Sequence, residues 1–423
     1  PPQTGRATPP LTPPQTGRGS SVNKRFPVII AFDPHGDGAL PLTKYKSLAE
    51  KYGFIMAGSN DSKNGLPQEE IRTIVGALML EIRSKYPVDS NRVYLMGFSG
   101  GARVAAMAAL CQVRVNGVIG CGAGFAGGDQ PVLYKFDYFG IAGTADFNMN
   151  ELLQLREPLS QAGFRQYITT FSGIHEWPPA PVMEEGFQWI TLNAMKDGTM
   201  KKDDAFISGV MKSIEARMNE SMRKNQFIAS ADACREAISF SDGLTGSDLF
   251  KEKLQYLENL PGYLGQVASQ RKAMEKEQLE KKELAEALQA KDLPWWKSWI
   301  TRHSSPGNNK EKINPEDTLK NRRLLSFLSL YCYMNANAAI SQQNEPAAIR
   351  IVAIYEMADP ANPEPYYMRA ILLARRSENE AAISQLKISV AKGFADKHRL
   401  TGQPEFRPMN AAPAWTDLLK SIK

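Results

Sequence analysis

Short apolar runs alternate with amphipathic ones from Phe26 to about Met195, and beyond Gly198 the short apolar runs stop. This switch constrains the fold more than any other feature of the chain. The runs at 26–32 (FPVIIAF), 53–57 (GFIMA), 92–96 (RVYLM), 115–120, 138–142 and 166–171 are short, and several are apolar at consecutive positions. A strand with one wet face alternates apolar and polar residues, so consecutive apolar positions mean a strand covered on both faces. Helical patterns fill the gaps at 42–51, 67–85, 102–110, 150–162 and 182–195. Strand and helix in alternation predict an α/β fold, a doubly wound and mostly parallel sheet. After Gly198 only helical patterns remain, at 202–222, 229–240 and 247–260, then a long charged one at 262–291 with a broken heptad. The second half is therefore expected to be all-α.

The 423 residues allow two to three domains at about 150 residues each. The expected divisions are a disordered Pro-rich linker at 1–25, the α/β domain at 26–198, a helical region with the long charged helix at 199–303, and helical repeats at 304–423. PPQTGR stands at 1–6 and again at 13–18, a Pro/Thr/Gly-rich duplication that reads as extended and unstructured. Such a segment suits either a linker behind a removed export signal or anchor, or a trimmed cytoplasmic chain, and these readings stay open. The net charge is +6, but basic and acidic residues are interleaved without a basic stripe, so nucleic acid is not an expected partner. No apolar run approaches a membrane span. The four cysteines, 111, 121, 234 and 332, form no CxxC pair or zinc spacing and read as buried free thiols.

The chemistry concentrates in Gly97-Phe98-Ser99-Gly100-Gly101. This G-x-S-x-G stretch follows an expected strand and opens an expected helix. A turn that tight holds the serine in a strained conformation at the strand's C-terminal end, and glycines two residues either side avoid a steric clash. Ser99 is the candidate nucleophile. The Gly100 N–H, at the helix N-terminus, is a candidate donor to a developing oxyanion.

A serine hydroxyl needs a base, and the base needs an orienting acid. Of the four histidines, 303 and 398 lie in the helical half and His35 precedes the serine. His175 follows the last expected strand in the loop SGIHEW. His175 is the candidate base. Asp146, in GTAD after the strand at 138–142, is the candidate acid. Asp129 in a Gly-rich loop is the second choice, and Asp137 opens its strand at the wrong end. A second oxyanion donor is expected from DPHGDG at 33–38, from the backbone of His35, Gly36 or Asp37. A metal site of Asp33, His35 and Asp37 lacks a remote fourth ligand and is not expected. Phe98 and Trp177 are candidates for the substrate pocket, with Trp177 equally able to brace the histidine loop. Nothing calls for a cofactor.

VYLMGFSGGARVA, FDPHGDG, GIAGTADFN and FSGIHEWPP together resemble pieces of the α/β-hydrolase superfamily. The similarity is to serine esterases of the polyhydroxybutyrate-depolymerase, feruloyl-esterase and dienelactone-hydrolase kinds, over roughly residues 26–195. The resemblance implies Ser99, Asp146 and His175 as a triad hydrolysing a small or polymeric carboxylic ester. It is silent on which ester and leaves a serine peptidase open. The segment between Gly120 and Phe136 is short, so no sizeable lid is expected there.

In the last part Tyr333-Met334 recurs as Tyr367-Met368, Ala336 as Ala370, and Ala347-Ala348-Ile349 as Ala381-Ala382-Ile383, each 34 residues on. The period resembles that of tetratricopeptide helix–turn–helix repeats, here at 332–365 and 366–399. Such repeats imply a protein or peptide partner. A second function class therefore stands beside the enzyme: an interaction scaffold carrying a relic hydrolase fold. LPWWKSWI, with Trp295, Trp296 and Trp299, is expected to pack within the helical half.

Overall fold

The computed structural model describes residues 7–11, 24–126, 131–304 and 315–422. The chain divides into two compact units, Pro1–Gln270 and Arg271–Lys423.

The first unit carries a sheet of strands β1 (Ala7–Leu11), β2 (Phe26–Phe32), β3 (Ile55–Ser59), β4 (Val88–Phe98), β5 (Gly117–Cys121), β6 (Asp137–Gly143) and β7 (Gln166–Phe171). Their order is β1-β3-β2-β4-β5-β6-β7. Strands β2 to β7 run parallel, for example Ile30 beside Leu95 and Tyr94 beside Gly117. The connecting helices are α1 (Ala39–Tyr52), α2 (Gln68–Lys85), α3 (Gly100–Cys111), α4 (Met149–Gln154), α5 (Arg156–Gln161) and α6 (Ala180–Lys196). The consecutive apolar residues of the strands feed two cores. Ile29, Met56, Met96, Ile119 and Phe139 pack with α1 and α6, while Val28, Ile30, Leu95 and Val118 pack with α2 and α3. Each such side chain, buried to within a few per cent, contributes about 1.5–3 kcal/mol. The doubly wound, mostly parallel sheet is thus the one the periodicity predicts.

From β2 the chain moves outward to β3, then crosses back to place β4 on the other side of β2. The direction of winding reverses between β2 and β4, and the crevice at their C-terminal ends is where such sheets bind ligands. The loops after β2 and β4 carry Asp33–Gly38 and Ser99.

Three expectations are corrected. The segment 1–25 is not wholly without structure, because Ala7–Leu11 pairs antiparallel with β3, Ala7 opposite Ser59 and Leu11 opposite Met56. The prolines at 9 and 10 fit because they fall where the register shifts between Thr8 and Leu11, on an edge strand, where the ladder is already interrupted. The two PPQTGR copies lie outside the described residues. The single helix expected at 150–162 is two, α4 and α5. Pro158 has no N–H and its ring crowds the Gln154 carbonyl, so the helix breaks at Leu155. The division at 198 also fails. Helices α7 (Asp204–Arg223), α8 (Phe227–Ser241) and α9 (Asp248–Glu258) bury Ile207, Ile214, Cys234, Phe240 and Leu257 in the same core as Phe187 and Trp189 of α6. They belong to the first unit. The Asp203 side chain caps α7 by accepting from the Phe206 amide at 3.0 Å.

The long helix α10 (Pro261–Ala290) crosses the division at 270, so the expected boundary at 303 fails as well. The second unit continues with α11 (Leu293–Ser304), α12 (Pro315–Ser341), α13 (Glu345–Ala358), α14 (Glu364–Arg375), α15 (Asn379–Ala391), α16 (Lys397–Gly402) and α17 (Pro413–Ser421), with a 3₁₀ turn at Pro404–Met409. Helix α12 packs on α13 and α14 on α15. Of the recurring alanines, Ala336, Ala348, Ala370 and Ala382 are fully buried, while Ala347 is half-buried and Ala381 exposed. Trp296 and Trp299 join this core, as expected. The ion pair of Glu277 with Arg323, 2.7 Å, is buried within it. All four cysteines are free thiols; Cys111 is half-buried and the others are buried. No helix among the described residues is long and apolar enough to cross a membrane.

Candidate functional site

Ser99 joins β4 to α3 with φ 52° and ψ −119°, a left-handed backbone that a side chain rarely adopts. The glycines flanking it make the turn possible. A Cβ on Gly97 would lie 2.2 Å from the Gly101 carbonyl oxygen, and one on Gly101 would lie 2.0 Å from the Phe32 carbonyl oxygen of β2. The strain is held by the sheet, since the Ser99 amide donates to the Cys121 carbonyl at 2.8 Å. Ser99 also starts α3, so its hydroxyl and the Gly100 amide share the positive end of that helix.

His175 stands in the loop after β7. Its Nε2 is 2.9 Å from Ser99 Oγ and its Nδ1 is 2.9 Å from Asp146 Oδ1. Asp146 is fully buried in the turn after β6, and the same Oδ1 accepts the Asn148 amide at 2.8 Å. Three residues 76 and 29 positions apart in sequence therefore form one hydrogen-bonded chain. The order hydroxyl, imidazole, buried carboxylate is competent to draw a proton from Ser99 and hold the imidazolium that results. Asp137, at the opposite end of β6, is paired with Arg165 at 3.1 Å, and burial pushes its carboxyl up to about 6. Asp129 lies outside the described residues.

The imidazole is set between aromatic rings, Phe98 at 4.7 Å and Phe147 at 4.3 Å between centroids. Phe147 was not singled out from the sequence, although its place directly after Asp146 was the available signal. Phe98 and Trp177, expected at the substrate pocket, are not among the residues lining the cavity beside Gly100. Both are buried behind the imidazole, with Trp177 5.6 Å from Phe98 and 5.9 Å from Tyr45. The Trp177 Nε1–H donates to Asp33 Oδ2 at 2.8 Å, so its role is the bracing one. Tyr45, whose phenol burial keeps protonated, donates to the Pro178 carbonyl at 2.7 Å and fixes the same loop.

The loop after β2 departs from expectation. The amides of His35 and Gly36 are both taken up by Asp33, the first by Oδ1 at 2.8 Å and the second by its carbonyl at 3.1 Å. They cannot also point at a substrate oxygen. The cause is the buried Asp33 carboxylate, which folds the turn onto itself in the way Asx residues do. Of the expected set only the Asp37 amide is left, the Asp37 carboxylate taking the Ala39 and Leu40 amides of α1. Among the described residues no group of three or more His, Cys, Asp or Glu could hold a metal ion, and Asp33 is already occupied by its two donors.

Beside Gly100 and Gly101, on the side formed by α2 and α3, lies a cavity of about 300 Å³. Its floor is Leu66, Ile71, Val104 and Met107, none of which was singled out from the sequence.

No protein-family model matches the chain, and no curated protein matches it. Solved structures similar to it include an S-formylglutathione hydrolase from Staphylococcus aureus, 11% identical over 44% of this chain and 92% of that one, TM-score 0.37. An esterase from the archaeon Pyrobaculum calidifontis is 13% identical over 41% of this chain and 76% of that one, TM-score 0.32. An acylaminoacyl peptidase from Pyrococcus horikoshii is 15% identical over 44% of this chain and 38% of that one, TM-score 0.33. At these scores the likenesses decide nothing that the strand order and the hydrogen-bonded chain do not.

Proposed function

We propose that the first unit is a serine hydrolase of the α/β-hydrolase class that cleaves carboxylic esters through an acyl-enzyme. The observation that carries this reading is the strained Ser99 with His175 Nε2 at 2.9 Å, itself held by the buried Asp146 at 2.9 Å. In this mechanism Ser99 Oγ attacks the ester carbonyl and passes its proton to His175 Nε2. Asp146 keeps Nδ1 protonated and stabilises the imidazolium. The tetrahedral oxyanion is met by the Gly100 amide, with the Asp37 amide as second donor. His175 then protonates the leaving alcohol, and water, activated by the same imidazole, releases the acid. A relic fold kept only as a scaffold has no need of the strain at Ser99, which costs of order 1–3 kcal/mol.

The test is labelling with a fluorophosphonate probe together with hydrolysis of p-nitrophenyl esters and of an acyl-peptide anilide. Wild-type protein is expected to label at Ser99 and turn over the ester faster than the anilide. Ser99→Ala is expected to keep its fold and lose activity by a factor of about 10³ or more. Retained activity in a folded Ser99→Ala protein refutes the assignment, and preference for the anilide makes the enzyme a peptidase.

Among its described residues the second unit carries no comparable constellation. Its helix pairs, with buried alanines recurring at 34 residues, support a tetratricopeptide-like array that binds an extended peptide or protein.

A further inference from the structure

We infer that the cavity of about 300 Å³ beside Gly100 and Gly101 is the acyl subsite, and that it selects short apolar acyl groups. This rests on the esterase reading of Ser99. Proton return fixes the orientation of the ester: the leaving oxygen must face His175 Nε2, and the carbonyl oxygen must face the Gly100 amide. The acyl chain is then directed away from the histidine loop. The cavity fulfils that condition, because it borders Gly100 and is walled by residues 62–71 and by α3, with no residue of the 172–177 loop lining it.

The lining is graded. Ile71, Val104 and Met107 are buried, and with half-buried Leu66 they make an apolar floor. Lys63, Asn64, Gln68 and Arg103 form the rim. The lining is held in place: Gln68 Nε2 of the rim contacts Met107 Sδ of the floor at 3.3 Å, while the Arg103 guanidinium of the rim is held by the Phe125 carbonyl at 2.6 Å and Glu151 at 2.8 Å. An apolar floor rewards each methylene of the acyl chain by about fourfold in kcat/KM. The volume stands at the low end of the about 300–1,000 Å³ of small-molecule sites, so the gain ends early and a long fatty chain does not fit.

The experiment is the kcat/KM series for p-nitrophenyl acetate, butyrate, hexanoate and decanoate on the full chain, with Val104→Phe and Met107→Ala. Wild type is expected to rise from acetate to a maximum at butyrate or hexanoate and fall by decanoate. Val104→Phe narrows the cavity and should lower the hexanoate-to-acetate ratio at least tenfold. Met107→Ala deepens it and should move the maximum to longer chains. Opposite shifts from the two variants are not what a general folding defect produces, and near-UV circular dichroism with the fluorophosphonate labelling rate checks each fold. A flat wild-type series, or variants that scale all four esters alike while Ser99 still labels, overturns the subsite and leaves the esterase reading standing. Failure of wild-type Ser99 to label and of any ester to turn over sinks both.

Discussion

Replacing Trp177 by Phe tests how the site is held. The change keeps an aromatic ring and removes one N–H, the donor to Asp33 Oδ2 at 2.8 Å. Asp33 is buried and its other oxygen accepts the His35 amide, so the change takes away the donor that Oδ2 has in the folded chain. A hydrogen bond to a charged group contributes about 1.5–3 kcal/mol. A loss of about 2 kcal/mol at about 2–4 °C per kcal/mol lowers the first unit's Tm by about 4–8 °C. The activity effect follows from ring contacts: Trp177 rests on Phe98, and Phe98 on the His175 imidazole. A small displacement of that imidazole should lower kcat about tenfold, less than the about 10²-fold that a misplacement of about 1 Å costs, with KM changed less. The assay is a thermal melt with p-nitrophenyl ester kinetics on Trp177→Phe, Asp33→Asn and the double variant. Coupling well above the about 0.3–0.5 kcal/mol scatter of independent sites is expected. Additive single effects, or an unchanged Tm in Trp177→Phe, refute the brace.

Asp146→Asn should cost far more kcat/KM than Asp129→Asn, because Asp146 holds the His175 imidazole by a hydrogen bond of 2.9 Å; the reverse ranking shows the wrong carboxylate was chosen. Glu185 of α6 and Glu236 of α8 share Arg217 of α7, and burial first, then the Glu236 charge, pushes the Glu185 carboxyl up to about 7. A carboxyl whose folded pKa is raised is stabilising while protonated. The contribution is present below the ordinary carboxylate range and is lost as pH rises through about 7. Tm should therefore fall between pH 5 and pH 8 in wild type and fall less in Glu185→Gln; equal slopes in melts at the two pH values count against this cluster. A fragment of residues 1–270 should melt cooperatively and keep ester turnover, while one of residues 1–198 should be insoluble, since it strips Ile207, Ile214 and Phe240 from the core around Trp189. Equal behaviour of the two fragments refutes the placement of the boundary.

What could be read from the residues was whatever local pattern determines. Consecutive apolar positions in FPVIIAF announce a strand between two cores, and that is where Ile29 and Ile30 go. The elbow was legible because its glycines answer to backbone clashes within a few residues and to the neighbouring strand. Asp146 and His175 were legible as residues just past strand ends. Interactions between distant residues were not. Nothing in DPHGDG says that Asp33 will draw the His35 and Gly36 amides inward, because its other oxygen is engaged by an indole 144 residues away. Ile71, Val104 and Met107 look like ordinary helix core, and only the folded arrangement of α2 and α3 opens a cavity between them. The helices at 204–258 were separated from the sheet because their periodicity says that one face is buried, not against what. The Pro-rich start lacks periodicity altogether, so its pairing with β3 depends on an edge that the rest of the sheet supplies.

That pairing also bears on how the protein behaves in company. Without Ala7–Leu11, β3 would present a row of vacant amides and carbonyls to any other molecule of the same chain. With it in place, an approaching strand meets β1, where the prolines lack amide hydrogens and the register shifts between Thr8 and Leu11, so the ladder cannot be extended evenly. Shortened versions that begin after Leu11 would leave this margin open, and any self-association through it would enter crystallisation or assay preparations made from them.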